Sequence, residues 1–257
     1  LLFTAPKIKA AAASFRAKTS VGADGLSFAE LKATPDEIVE DLAAIFLECI
    51  EKVDLPRHQL LTTLHLLPKK KAAFRTIGTL ITFVRTIMSM LGPMMRKWDA
   101  EAATAGDSAR PGARSDDCVF ARQARLEAMG AVGNCALQAL WDLEKFYEKI
   151  DPEQLQQDFQ NHNFPGLVGT LAMISHGAPR VLTINQAYGP PIEKVGRSII
   201  TGCASSASVA RAVMIDVVSA VEAKEKEWAS KGMFVANGFH VDDFAQFGAF
   251  QDKYIGE

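Results

Sequence analysis

Apolar residues recur at helical spacing in several long windows of this chain and run together or alternate in several short ones. The clearest helical window follows Thr34-Pro35-Asp36-Glu37, where Ile38, Leu42, Ile45, Cys49 and Val53 predict one apolar face. Thr34 can cap this helix, Pro35 suits its first position, Glu37 completes a capping box and Pro56 ends it. The same period predicts helices over 83–102, 119–129, 152–161 (capped by Asp151) and 167–175. A long helix follows over 205–228, with Val209, Ala212, Val213, Val217 and Val221 on its apolar face.

Short apolar or β-branched runs predict strands over 60–67, 135–143, 181–184 and 195–200, the second of them buried. Residues 68–75 read as a hairpin loop with Thr76-Ile77-Gly78 on its return side. Val21-Gly22-Ala23-Asp24-Gly25-Leu26-Ser27 and Gly189-Pro190-Pro191 read as turns, and 104–117 as a loop. Residues 1–20 are a basic, Ala-rich arm or frayed helix. Strands and helices neither alternate strictly nor segregate, which predicts an α+β fold.

One stretch carries unusual chemistry for its pattern. Phe239-His240-Val241-Asp242-Asp243-Phe244-Ala245-Gln246-Phe247, between Gly238 and Gly248, predicts a β-hairpin with two carboxylates at its tip. Carboxylates beside an apolar strand pair are costly unless something binds them, and a divalent cation is the usual partner.

Composition adds little until it is read locally. The 257 residues are 48% hydrophobic and 23% charged, with a net charge of −2, which is ordinary for a soluble globular chain. Between Arg57 and Trp98, however, there is no Asp or Glu, while Arg57, Lys69, Lys70, Lys71, Arg75, Arg85, Arg96 and Lys97 share that span. A one-signed block calls for an anionic partner. Cys49, Cys118, Cys135 and Cys203 have no metal-ligand spacing and read as reduced thiols of an intracellular, non-secreted protein. No signal peptide is expected, and the apolar run over 76–89 is interrupted by Arg85 and too short to span a bilayer, so no membrane segment is expected either.

Taken in chain order, four features stand together: Gly22-Ala23-Asp24-Gly25; the cationic Pro68-Lys69-Lys70 to Arg75; Leu140-Trp141-Asp142-Leu143-Glu144-Lys145-Phe146-Tyr147; and Gly202-Cys203-Ala204-Ser205-Ser206 followed by Val241-Asp242-Asp243. This set resembles the reverse transcriptases of non-LTR retroelements and group II introns, and is similar to the retroelement polymerases of dinoflagellates. The resemblance runs from about residue 20 to residue 250. It implies right-hand polymerase fingers over about 1–130 and palm over about 131–257, with some interleaving and a central antiparallel palm sheet packed on helices. It also implies a fragment of a longer polyprotein, without the thumb.

The resemblance implies an RNA-directed DNA polymerase that uses Mg2+ (or Mn2+), an RNA template, a DNA primer and dNTPs. A eukaryotic retroelement would place it in the nucleus. Asp142 and Asp242 would be the metal ligands, with Asp243 as the second acid of the catalytic pair. Lys69 or Lys70, with Arg75, would hold the triphosphate, Arg as a planar fork and Lys as a point charge. Tyr147 would crowd the sugar 2′ position, and Gly202 would admit close backbone approach.

Singly, each feature fits a plainer reading: Asp142 a strand-end cap, Asp242-Asp243 a turn, Lys69 to Lys71 a solvated loop, Gly202 a helix start, Tyr147 core. His240 stands where the family has Tyr, and Thr201 where many members have Gln. Two other readings share these residues: a catalytically silent relic that binds RNA through the cationic loop, and an RNA-directed RNA polymerase, against which Tyr147 stands.

Overall fold

The computed structural model describes residues 3–57, 60–69, 73–104, 106–109, 112, 114–185, 187–240 and 243–250, with the side chains of Ala73, Ser115, Cys118, His240, Asp243 and Phe250 excepted. The first elements are α1 (Ala5–Ala13), α2 (Phe28–Ala33), α3 (Asp36–Lys52), β1 (Thr62–Lys69), β2 (Ala73–Thr79), α4 (Thr82–Met90), α5 (Gly92–Ala102) and α6 (Ser115–Ala131). Then come β3 (Cys135–Asp142), α7 (Phe146–Lys149), α8 (Pro152–Asn161), α9 (Gly166–His176), β4 (Arg180–Ile184) and β5 (Ala187–Ile192). The last are α10 (Ser206–Ser230), β6 (Phe234–His240) and β7 (Asp243–Phe250). The mixture of helices and two sheets is α+β in class.

The chain divides into two compact units, each made from two separated stretches: residues 1–95 with 147–209, and residues 96–146 with 210–257. In the first, the sheet order is β2-β1-β4-β5. Strands β1 and β2 pair antiparallel, β1 and β4 parallel, β4 and β5 antiparallel. Phe46 of α3 anchors a helical layer, with its ring edge-on to Phe3 at 5.6 Å and to Phe83 at 4.8 Å.

That anchor explains a difference from the expected face of α3. Val39, Ala43, Phe46 and Cys49 are buried, while Ile38, Ile45 and Val53 are exposed. One residue of offset turns the apolar stripe by about 100°. The cap differs too. Pro35 is the N-cap and makes no side-chain cap bond, whereas Thr34 closes α2 and its hydroxyl donates to the Glu30 carbonyl. The capping box in this region belongs to Ser27 and Glu30 of α2.

Other expectations are redrawn. The helix foreseen over 83–102 is two helices, because Gly92-Pro93 interrupts it and Pro93 has no amide to donate. Gly189-Pro190-Pro191 lies within β5, an edge strand where a missing donor is tolerated. Residues 195–200 form no strand and run instead as an irregular connector.

In the second unit the sheet order is β3-β7-β6, all antiparallel. Met214 and Val218 of α10 pack with Phe239 of β6, joined by Phe146 and Phe244. On α10 the buried apolar positions are Val209, Ala210, Ala212, Met214 and Val218, and Val217 is exposed, contrary to the expected stripe. Strand β3 is an edge strand with Leu137, Leu140 and Trp141 exposed, so it is not the buried strand its composition suggests. No helix among the described residues is long and apolar enough to cross a membrane.

Candidate functional site

Strand β3 ends on Asp142, and β7 begins on Asp243. The two are register partners, the last pair of a ladder that starts with Cys135 opposite Phe250. Asp243 also pairs with His240 across the β6–β7 hairpin. Two distant stretches of chain thus bring a strand-end acid to the mouth of the acidic hairpin. Asp142 is exposed to solvent. Asp242, the other expected metal ligand, lies outside the described residues, and Asp243 is described in its backbone only.

An exposed aspartate at a strand end, as Asp142 is, offers hard oxygen ligands, which suit Mg2+ or Mn2+ better than thiophilic metals. Among the described residues no group of three or more His, Cys, Asp or Glu converges on a metal position. Asp142 fits as one ligand, and the register places the Asp243 backbone opposite it.

The cationic residues belong to the first unit. The β1–β2 hairpin puts Lys69 opposite Ala73 and Leu67 opposite Arg75. With a side-chain period of two along each strand, Lys69 and Arg75 share one face of the ribbon. Both are exposed, so neither spends its charge on the core. Arg75 sits within β2, two residues into the return strand, and not in the loop expected there. Lys70 lies outside the described residues.

Gly202 joins this hairpin. The Gly78 amide donates to the Thr201 carbonyl at 3.0 Å, and the Thr201 hydroxyl donates to the Thr76 carbonyl at 3.0 Å. Thr201 therefore lies along the outer edge of β2, beside Thr76 and Gly78. Gly202 has φ +96°, and a Cβ there would meet the Gly78 carbonyl oxygen at 3.2 Å. Conformation and closeness both call for glycine. At Cys203 beside it, burial pushes the thiol pKa up, and its Sγ contacts Ser205 Oγ at 3.2 Å.

Tyr147, half-buried on α7, enters the same neighbourhood by its backbone. Its carbonyl accepts from the Ile199 amide at 2.9 Å. Within the first unit the 198–202 connector thus links the Tyr147 backbone and Gly202 to β2, the strand that carries Arg75, and within the second unit Asp142 is the register partner of Asp243.

No protein-family model matches the chain, and no curated protein matches it.

Several residues that build these features have structural roles that the sequence pattern does not give. Asp24 accepts from the amides of Thr82, at 2.6 Å, and Phe83, at 3.3 Å, and so caps α4 from far away. Arg85 lies over the rings of Phe15 and Phe28 and donates to the Ser20 carbonyl. Part of the cationic block is therefore structural. His176 accepts from the Ile200 amide at 3.0 Å through Nδ1, and Arg180 reaches Ser198. An isolated His or Arg next to an apolar run looks the same whether it faces solvent or anchors a loop.

Proposed function

We propose that this chain is the fingers-and-palm portion of an RNA-directed DNA polymerase that extends a DNA primer on an RNA template. The observation that carries this reading is the register pairing of Asp142 with Asp243, which supports a carboxylate site assembled from a strand end and an acidic hairpin. A chance Asp-Asp turn has no reason to meet a third acid from about a hundred residues upstream.

Asp142 and Asp242, with Asp243 beside them, would hold Mg2+ (or Mn2+), and two such ions would activate a primer 3′-hydroxyl and hold the leaving pyrophosphate. Lys69, Lys70 and Arg75 bind the triphosphate of the incoming dNTP by charge and by the guanidinium fork. Tyr147 crowds the 2′ position of its sugar. Gly202 leaves room for close approach of nucleotide and backbone. The nucleic-acid partners are an RNA template and a DNA primer, and further domains of a longer parent polypeptide would complete the duplex grip.

The test is single-nucleotide extension of a DNA primer on an RNA template with Mg2+, comparing wild type with Asp142→Asn and Asp242→Asn. Both variants should lose incorporation while retaining salt-sensitive RNA binding. Undiminished extension by either variant overturns the site assignment. RNA binding with no extension by wild type favours the silent relic.

A further inference from the structure

Arg180, at the start of β4, is only 7% exposed, yet among the described residues none of its partners is a carboxylate. Its Nη1 donates to Ser198 Oγ at 2.8 Å, and its Nη2 donates to the carbonyls of His176 at 2.7 Å and Ser198 at 3.1 Å. Its Nε has no partner among the described residues. Burying a guanidinium without a counter-charge is expensive, and hydrogen bonds to neutral oxygens only partly offset the cost. A core that needed only packing would be better served by Met or Leu at this place.

What the cation holds is a strained point. Ser198 has φ +117°, a region that favours glycine. Ser198 is gripped from three sides: its amide donates to the Ile150 carbonyl, and its hydroxyl and carbonyl both accept from Arg180. The next three residues are tethered in turn. The Ile199 amide donates to the Tyr147 carbonyl, the Ile200 amide to His176 Nδ1, and Thr201 bonds to Thr76 and Gly78 of β2 before the chain reaches Gly202. Residues 198–202 belong to no strand, so these tethers set their path.

We infer that Arg180 is a positioning residue for the nucleotide end of the proposed polymerase site: by fixing Ser198 at positive φ it sets the register of the connector that links Tyr147, Gly202 and the strand bearing Arg75. The inference rests on the polymerase reading for its catalytic consequence and on the hydrogen bonds alone for its structural one. Loss of the guanidinium lets Ser198 relax toward negative φ. Ile199 and Ile200 then shift along their acceptors, and Tyr147 and Gly202 no longer stand in fixed relation to Arg75. The acids of the second unit are untouched.

Two measurements on Arg180→Met and Arg180→Lys decide it. The first is amide hydrogen exchange. Arg180→Met should lose protection at Ile199 and Ile200 while the β1–β2 ladder keeps its own. The second is single-nucleotide incorporation of dNTP and rNTP on the same primer–template. Arg180→Met should raise KM for dNTP about tenfold or more, since misplacement by about 1 Å can cost about 100-fold, with primer–template affinity unchanged. Its preference for dNTP over rNTP should fall, and Arg180→Lys should recover part of both losses. If Arg180→Met fails to fold, Arg180→Lys carries the same comparison against wild type, because it keeps the charge and reaches fewer acceptors. Unchanged exchange at Ile199 and Ile200 overturns the inference. So does reduced incorporation with wild-type KM and wild-type sugar preference. If wild type itself incorporates no nucleotide, the polymerase reading falls, and the exchange measurement still decides whether Arg180 holds the connector.

Discussion

Arg211 donates from Nε to Asp107 Oδ2 at 2.7 Å, and its Nη1 also pairs with Asp99, so one buried cation ties α10 to α5 and to the segment around Gly106. That segment borders β6: the Phe239 amide donates to the Gly106 carbonyl, and the amide and hydroxyl of Ser108 both donate to the Phe239 carbonyl. The strand leading to the acidic hairpin is thereby fixed from its outer edge. Removing one member of a buried ion cluster strands the others in low dielectric, so Arg211→Met should cost about 3–5 kcal/mol in urea unfolding. The triple change Arg211→Met, Asp99→Asn, Asp107→Asn should recover much of that loss. A single variant as stable as wild type would show that the cluster is solvated.

Two glycines of one turn should respond differently to alanine. A Cβ at Gly22 would stand 2.6 Å from Ile81 Cα and 2.6 Å from the Leu80 carbonyl oxygen, both backbone atoms that cannot rotate aside. Gly25 has φ +67° and open space around its missing side chain. Gly22→Ala should therefore cost about 1–3 kcal/mol through displaced backbone, and Gly25→Ala about 1 kcal/mol through φ alone. The turn matters because it delivers Asp24 to the α4 amides. Asp24→Ala should cost about 1 kcal/mol by the same denaturation measurement. Equal effects at Gly22 and Gly25 would contradict the close approach.

The class of the fold and the approximate position of most elements are legible in hydrophobic periodicity. The faces are less so. Ile38 and Val39 are both apolar, and only the ring of Phe46 against Phe3 and Phe83 decides which turns inward. The pairing of β3 with β7 is a long-range register that no local pattern contains, although Asp142 and Asp243 can each be singled out beforehand. Arg180 and His176 could not be singled out. Their roles depend on irregular backbone at Ser198 and Ile200, where no period exists to read.

Asp142 and Tyr147 should separate catalysis from stability. Asp142 is exposed at a strand end, so Asp142→Asn should alter unfolding free energy by no more than about 0.5 kcal/mol while abolishing primer extension. Tyr147 holds the Ile199 amide with its backbone carbonyl, a bond that survives side-chain truncation. Tyr147→Ala should thus leave the connector in place and relax discrimination against ribonucleotides by about 100-fold, the scale on which a filled pocket excludes a small group. Competition between matched dNTP and rNTP measures this directly. Unaltered discrimination would remove Tyr147 from the sugar site and favour the ribonucleotide polymerase reading.

His176 makes the stability of the fold pH-dependent in a defined window. It is fully buried, and desolvation, aided by the nearby Arg180 charge, lowers its pKa from 6.5 to about 3. The fold therefore holds neutral imidazole, with Nδ1 accepting from the Ile200 amide. The unfolded chain binds a proton there below about pH 6.5, and the folded chain does not until about pH 3. The sign follows: the contribution is complete above pH 6.5 and is lost as pH falls toward 3, at about 1.4 kcal/mol per pH unit once the unfolded side chain is charged. His176→Asn keeps an acceptor for the Ile200 amide and cannot titrate. Unfolding free energy should fall between pH 7 and pH 5 by about 2 kcal/mol more in wild type than in His176→Asn. Parallel curves for the two proteins would mean that His176 is protonated in the folded state or open to solvent, and the tether to Ile200 would have to be redrawn.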